Sequence, residues 1–259
     1  MEAPTPAPLV LSGVVVILLV DFATQHRGWG WLRLAQGAGI FRDVPGLLFV
    51  KVMGSGHGGG FGLRPSSSHQ GLICLFATQA QAEAFMHGSE VKAYVERTRE
   101  HWLGMMAVTS IRGQWDQQSW GLTPDGGANA MPNAAVATAP VAVLTRGSIR
   151  PGKAVSFWRY APPAQADLGH AEGCQLAMGL GEAPLVRQCT FSVWDSTESM
   201  VGYAHRGAHK LAIAAAAKHD YFSESMFARM RVLAMSGNWR GRQYNLSPVH
   251  AQVAEVAHA

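Results

Sequence analysis

The chain carries one helical passage twice. Residues 76–97, FATQAQAEAFMHGSEVKAYVER, align without a gap to residues 194–215, WDSTESMVGYAHRGAHKLAIAA. Thr78 then falls on Ser196, Phe85 on Tyr203, His87 on His205 and Lys92 on Lys210. Each copy is followed by an apolar run that closes on glycine, a polar residue and tryptophan: Gly113-Gln114-Trp115 and Gly237-Asn238-Trp239. A self-match about half a chain apart predicts a duplicated unit. One position breaks the match, because Val91 falls on His209. A site that is aliphatic in one copy and imidazole in the other is where function can be added to a shared scaffold.

Hydrophobic patterning predicts the same element order in both copies. In the first, strands are expected at 11–22, 47–53, 72–77 and 105–111, with helices over 29–41 and from Thr78 to about Trp102. Thr78 with Gln81 three residues on reads as a capping box. In the second, strands are expected at 141–145, 174–180, 186–194 and 228–235, with helices over 151–166 and 196–217 and a short helical piece near Phe222. Gly202 and Gly207 place a kink before His209. The order β-α-β-β-α-β is the ferredoxin-like unit, an antiparallel sheet with both helices on one face. Two joined copies can bury their open sheet faces against each other and enclose a cavity between them. The expected divisions are a disordered leader 1–8, repeat one over 9–120, a Pro/Gly/Ala-rich linker 121–139, repeat two over 140–245 and a tail 246–259.

Composition narrows the function classes. Hydrophobic residues at 48% and charged residues at 15% describe an apolar globule rather than a disordered chain. A net charge of +4 with no dense basic run argues against nucleic acid. It suits an acidic electron-transfer partner or an anionic membrane face. Cys74, Cys174 and Cys189 are odd in number and not in CxxC spacing, which fits apolar fillers in a reducing cytoplasm. The apolar run from Leu9 to Val20 is too short to span a bilayer and lacks a signal-peptide basic region.

Gly54-x-Gly56-x-x-Gly59 matches the dinucleotide expression, but Gly60, Gly62 and Pro65 leave no helix to receive a pyrophosphate. A loop over a pocket mouth or a plain strand connection is the expectation there. His205 and His209 stand one helical turn apart without the third ligand that hydrolytic zinc needs. His205 has a counterpart in His87, so a scaffold role explains it, with metal ligation the weaker alternative. His209 shares a helical stripe with Ala212, Ile213 and Ala216. It reads either as a core histidine bonded to a carbonyl or as an axial imidazole facing an apolar slot, as five-coordinate haem iron requires. Phe157-Trp158-Arg159-Tyr160 is either helix packing or an apolar wall with a guanidinium for a haem propionate. Arg187, Arg229 and Arg231 are rivals for that role.

The segments Phe49–Gly56, Phe157–Tyr160 and Thr190–Arg229 together resemble the spheroidene monooxygenase family of carotenoid biosynthesis, over most of residues 45–240. The resemblance implies oxygen insertion into a lipophilic, carotenoid-like substrate, with haem b as cofactor, dioxygen as co-substrate and an external electron donor such as a ferredoxin. The Trp-Asp-Ser…Ala-His-Lys pattern is also similar to haem-degrading monooxygenases of the dimeric α+β barrel class. By position it makes His209 the iron ligand, and it implies that the two repeats form an intramolecular barrel of that class. Aldoxime dehydratases share the duplicated architecture, so a haem-dependent lyase is one alternative. A haem or hydrophobic-ligand carrier and a cofactor-free oxygenase are others. No motif places a distal catalytic residue. The expected location is cytoplasmic, with peripheral membrane contact.

Overall fold

The computed structural model describes residues 9–124, 140–159, 168–183, 185–205, 210, 215 and 218–247. Eleven strands and four helices frame it: β1 (Leu9–Leu11), β2 (Val14–Phe22), α1 (Arg27–Gln36), β3 (Leu47–Gly56), β4 (Pro65–Phe76), α2 (Gln79–Met86), α3 (Ser89–Val95), β5 (Thr98–Gly113), β6 (Gln118–Trp120), β7 (Val141–Ile149), β8 (Cys174–Ala183), β9 (Arg187–Trp194), α4 (Thr197–Ala204), β10 (Phe222–Trp239) and β11 (Arg242–Leu246). A further helical segment covers 154–159.

Strands pair in the order β10-β5-β2-β4-β3-β8-β9-β7, and β7 pairs back to β10, closing an eight-stranded barrel. The strand β11 extends β10 at the rim, while β1 and β6 form a separate parallel pair. The closure depends on β10, whose eighteen residues pair with β5 on one side and β7 on the other. The other seam joins β3 to β8 at Gly54 opposite Gly181.

The β2 sequence VVVILLVDF is buried along its whole length. Such a run suits a strand covered on both faces. Val15, Ile17 and Leu19 point into the barrel, while Val14, Val16, Leu18 and Val20 lie under the helices. The barrel interior is filled by Trp102, Met106, Met178, Phe191, Met230 and their neighbours, all buried. Each such side chain contributes roughly 1.5–3 kcal/mol by leaving water. The inward residues of the two halves meet in one buried cluster.

Several element boundaries differ. The helix after Thr78 breaks at His87-Gly88 and resumes as α3, and β5 begins at Thr98, so Trp102 is an interior strand residue. Phe222 starts β10 rather than a helical piece. Thr123, placed in the linker by composition, is buried; its hydroxyl accepts from Val108 N at 2.7 Å and donates to Gly13 O at 2.7 Å.

The repeated motifs occupy like positions. Thr78 and Ser196 each cap a helix by accepting from the backbone N–H three residues on. Gly113 (φ 80°) and Gly237 (φ 111°) both take left-handed conformations. Trp115 and Trp239, two residues further, are both buried in the barrel cluster. No helix among the described residues is long and apolar enough to cross a membrane.

Candidate functional site

A cavity of about 330 Å³ lies on the outer surface of the barrel at the seam between β3 and β8. Trp31 and Leu34 of α1 border one side, and Gly60 to Leu63 of the glycine-rich loop border the other. The lining includes Gly54, Gly181, Gln70, His69, Leu185 and Gln188. The loop is thus a pocket border, as its glycines and the missing helix suggested. Glycine is required where the halves touch. A Cβ on Gly179 would stand 2.5 Å from Gly60 O, and one on Gly56 would stand 2.4 Å from the same atom. Ser55 Oγ fastens the seam by donating to Gly179 O at 2.6 Å.

His69 is a polar group that sequence reasoning passed over. Its Nδ1 lies 3.0 Å from Ser66 Oγ, 3.2 Å from Ser68 Oγ and 3.5 Å from Asp21 Oδ1. The other Asp21 oxygen accepts from Arg99 Nη2 at 2.5 Å. Burial lowers the imidazole pKa from its usual 6.5, with Asp21 opposing and Arg240 and Arg99 reinforcing the shift. A hydrolase triad places the hydroxyl and the carboxylate on opposite ring nitrogens. Here both meet the same nitrogen, so the set orients a neutral ring rather than activating a serine.

At one end of the barrel, Lys51, Asp116, Arg146, Glu182 and Glu224 form an ion cluster. The Arg146 side chain is 1% exposed and contacts Glu224, Glu182 (3.3 Å) and Asp116 (3.5 Å). Lys51 bridges Asp116 and Glu182, the latter at 3.4 Å. A phase signal was present: Arg146 continues the inward series Ala142, Leu144, and Glu182 continues Leu176, Met178, Leu180. Arg187 joins the edge of this cluster, with Nη1 3.8 Å from Glu182.

The remaining expected site residues are not gathered into one place. His209 lies outside the described residues. His205 is exposed at the C-terminal end of α4. Arg159 is exposed on the 154–159 segment. Phe157 packs edge-on against Tyr221 and Phe222, and Trp158 donates to Leu185 O at 2.9 Å, so this cluster pins its segment to the barrel. Arg229 is half-buried on β10, and Arg231 is buried. Burial raises the Cys74 and Cys189 thiols and pushes Cys174 up to about 11, as apolar fillers require. No three metal-ligating side chains of the His, Cys, Asp and Glu set converge among the described residues.

The outer faces of the two half-barrels differ in kind. Over β2, β4 and β5, the outer residues are Val14, Val16, Leu18, Leu72, Phe76 and Met105, covered by helices. Over β8, β9 and β7 the alternation places Ala177, Gly179, Gly181, Thr190, Ser192 and Thr145 outward, with Phe227 on β10 37% exposed. That face also carries Val141, Val143 and Trp194, buried at one end, so it is smaller and more polar than the first only beyond them.

This is an α+β barrel with helices outside a closed sheet, an architecture also seen in solved aldoxime dehydratases. A solved aldoxime dehydratase in complex with butyraldoxime matches at TM-score 0.56 and 9% identity, over 88% of this chain and 83% of that one. A second aldoxime dehydratase structure matches at 0.54 and 8%, over 90% and 88%. At such identities the likeness carries the fold alone. No family model matches the chain. Sequence relatives are more specific. The spheroidene monooxygenase of Rubrivivax gelatinosus is 46% identical over 94% of this chain and 91% of its own length. That of Rhodobacter capsulatus is 32% identical over 90% and 93%. The chain belongs to the spheroidene monooxygenase family, and an oxygenase function goes with that membership.

Proposed function

We propose that this protein is a haem-dependent monooxygenase that inserts oxygen into a lipophilic, carotenoid-like substrate, with His209 as the iron ligand of haem b. The observation that carries the ligand assignment is Val91. It sits on α3, 3% exposed, against the outer face of the N-terminal half-barrel. The gapless correspondence pairs His209 with Val91 in sequence, and on that pairing we assign the iron ligand to the second half. We read the two halves as tandem ferredoxin-like repeats. The strand orders β5-β2-β4-β3 and β10-β7-β9-β8 support this, being the same permutation of each half's strands.

The residues on the outer face of the C-terminal half fit a flat macrocycle. The glycine, alanine, serine and threonine positions, bordered by Val143 and Trp194, offer more room than the valine, leucine and phenylalanine of the first half. Arg229, half-buried on the same face, and Arg159 at its border would hold the propionates. Arg187 is less suited, since its guanidinium turns to Glu182. When bound, the haem would supply dioxygen activation, and the chain's part is to fix the ligand ring, exclude water and position the substrate. Electrons would come from an external donor of the ferredoxin type, for which the +4 net charge supplies a complementary sign. The substrate assignment follows the name of the relatives.

The test is a spectrum followed by a turnover. Purified protein supplied with haem should show a Soret band, and with a reductant and labelled dioxygen it should put one labelled oxygen atom into a polyene. Product formation by haem-free protein would overturn the haem assignment. Tight binding of polyene and haem with no product under reducing, aerobic conditions would favour a carrier.

A further inference from the structure

We infer that the surface formed by α1, the glycine-rich loop and the turn between β8 and β9 docks on an anionic lipid bilayer, with Trp31, Leu32, Leu63 and Leu185 entering the headgroup boundary. This surface is defined by the chain's own exposed residues and does not depend on the haem assignment.

Helix α1 is turned the wrong way round for a helix in water. Its solvent-facing arc, Gly28, Trp31, Leu32 and Ala35, is exposed and carries no charge. A surface helix puts its polar residues there instead. Trp31 is 47% exposed and Leu32 53%. Arg27 and Arg33 are half-buried at the margins of the arc, and the helix contains no acid. Two further segments bring apolar side chains to the same place. Trp31, Leu63 and Leu185 border one opening, each from a different segment. Leu63 is 55% exposed and Leu185 47%. Leu185 also holds φ 70°, a left-handed conformation that strains a bulky residue and suits glycine. The turn thus carries a strained leucine whose side chain stands largely in water. Large apolar residues gathered from three segments mark an interaction surface.

Charge selects the occupant. Arg27, Arg33 and Arg64 form no ion pair among the described residues. Arg240 reaches the same loop, with Nη2 donating to Gly58 O at 2.8 Å. No Asp or Glu occurs between 22 and 42 or between 57 and 82. The neighbouring carboxylates are engaged: Asp21 with Arg99, Glu100 with the backbone N–H groups of Arg240 and Gly241, and Glu182 with Lys51 and Arg146. An indole and leucines rimmed by arginines match the boundary of an anionic bilayer, where apolar side chains insert and guanidiniums meet phosphates. A second copy of the chain fits less well, because two-fold pairing of this surface sets arginines against arginines.

Cosedimentation of the full chain with lipid vesicles is the test, with circular dichroism confirming the fold of each variant. The chain should bind vesicles of phosphatidylcholine and phosphatidylglycerol in equal parts, and should bind phosphatidylcholine alone far less. Salt at about 0.5 M should weaken the anionic case. Trp31→Ser/Leu32→Ser and Leu63→Ser/Leu185→Ser should each lower the partition at least about 10-fold. Leu122, 56% exposed near the other end of β2, is the control, and Leu122→Ser should leave the partition unchanged. Brominated lipid should quench the native chain, and Trp31→Phe should still bind yet lose most of that quenching, since the barrel tryptophans are buried. Binding that ignores both lipid charge and the serine variants would overturn the membrane assignment. So would a dimer that Trp31→Ser/Leu32→Ser converts to monomer in sedimentation velocity, which would make the surface an interface between copies. These readouts need no haem, so a missing Soret band and a missing bilayer surface are separate failures.

Discussion

His87 and His205 end their helices in the same conformation. The first adopts φ −99°, ψ 0° after α2, and the second φ −98°, ψ 6° after α4. Each backbone N–H closes the last helical turn, on Glu83 O and Phe85 O in one case and on Val201 O and Tyr203 O in the other. A residue that repeats its backbone role in both halves is part of the scaffold, and the exposed side chain of His205 agrees. The unmatched histidine is His209. Its substitution by alanine should abolish the Soret band of haem-loaded protein, while His205→Ala and His87→Ala should keep it. Absorption spectra of the three variants decide this, and a retained band in His209→Ala removes the ligand assignment.

The repeated Gly-polar-Trp closure has a backbone cause. A Cβ on Gly113 would stand 2.0 Å from Ser225 O, and one on Gly237 2.3 Å from His101 O. Both glycines also hold positive φ, where an L side chain is strained. Gly113→Ala and Gly237→Ala should each lose about 2–3 kcal/mol of stability, counting strain and displacement of the paired strand. Gly202→Ala, where a Cβ meets nothing within 4 Å, should instead gain up to about 1 kcal/mol. Urea unfolding of the three variants measures the contrast.

The caps at Thr78 and Ser196 and the Gly-polar-Trp turns were legible because each is local chemistry written in adjacent residues. The closed barrel was expected from the family resemblance alone. Its two seams join β3 to β8 and β5 to β10, strands far apart in sequence whose pairing no periodicity announces. Trp102 was read as helical, and it is instead a buried residue of β5 in the barrel cluster. Long β10 was read as 228–235 because the polar residues toward its ends, Ser223, Glu224, Ser225, Ser236 and Asn238, interrupt the apolar pattern. The proposed iron ligand rests on the sequence position where an imidazole replaces Val91. The seam cavity needs glycines from both halves, and their meeting is a tertiary fact.

The ion cluster at the barrel end predicts an asymmetric response to mutation. Arg146 is buried among Glu182, Glu224 and Asp116, so Arg146→Met leaves buried carboxylates without their main counter-charge. Removing one partner of a buried pair costs about 3–5 kcal/mol, while apolar replacement of the whole set is close to neutral. Arg146→Met should therefore be severely destabilising, and adding Glu182→Leu and Glu224→Leu should restore a large part of the loss. Denaturant midpoints of the single and triple variants test this. A mild single variant would show that the cluster is solvated rather than buried.

Two half-buried imidazoles contribute to the pH response. Burial lowers the pKa of both His69 and His101 from 6.5 in the folded chain. Around His69 stand Asp21, Glu100, Arg99 and Arg240, with the two carboxylates opposing the shift. Below pH 6.5 the unfolded chain takes up protons that the folded chain resists, which favours unfolding. The stability from these neutral rings is thus fully present above pH 6.5 and declines as pH falls toward their folded values. The slope cannot exceed about 1.4 kcal/mol per pH unit for each ring. Unfolding free energies measured between pH 7.5 and 5.5 should fall for the native sequence, and His69→Asn/His101→Asn should flatten that decline whatever its absolute stability. The same decline in the double variant would assign the acid sensitivity to other groups.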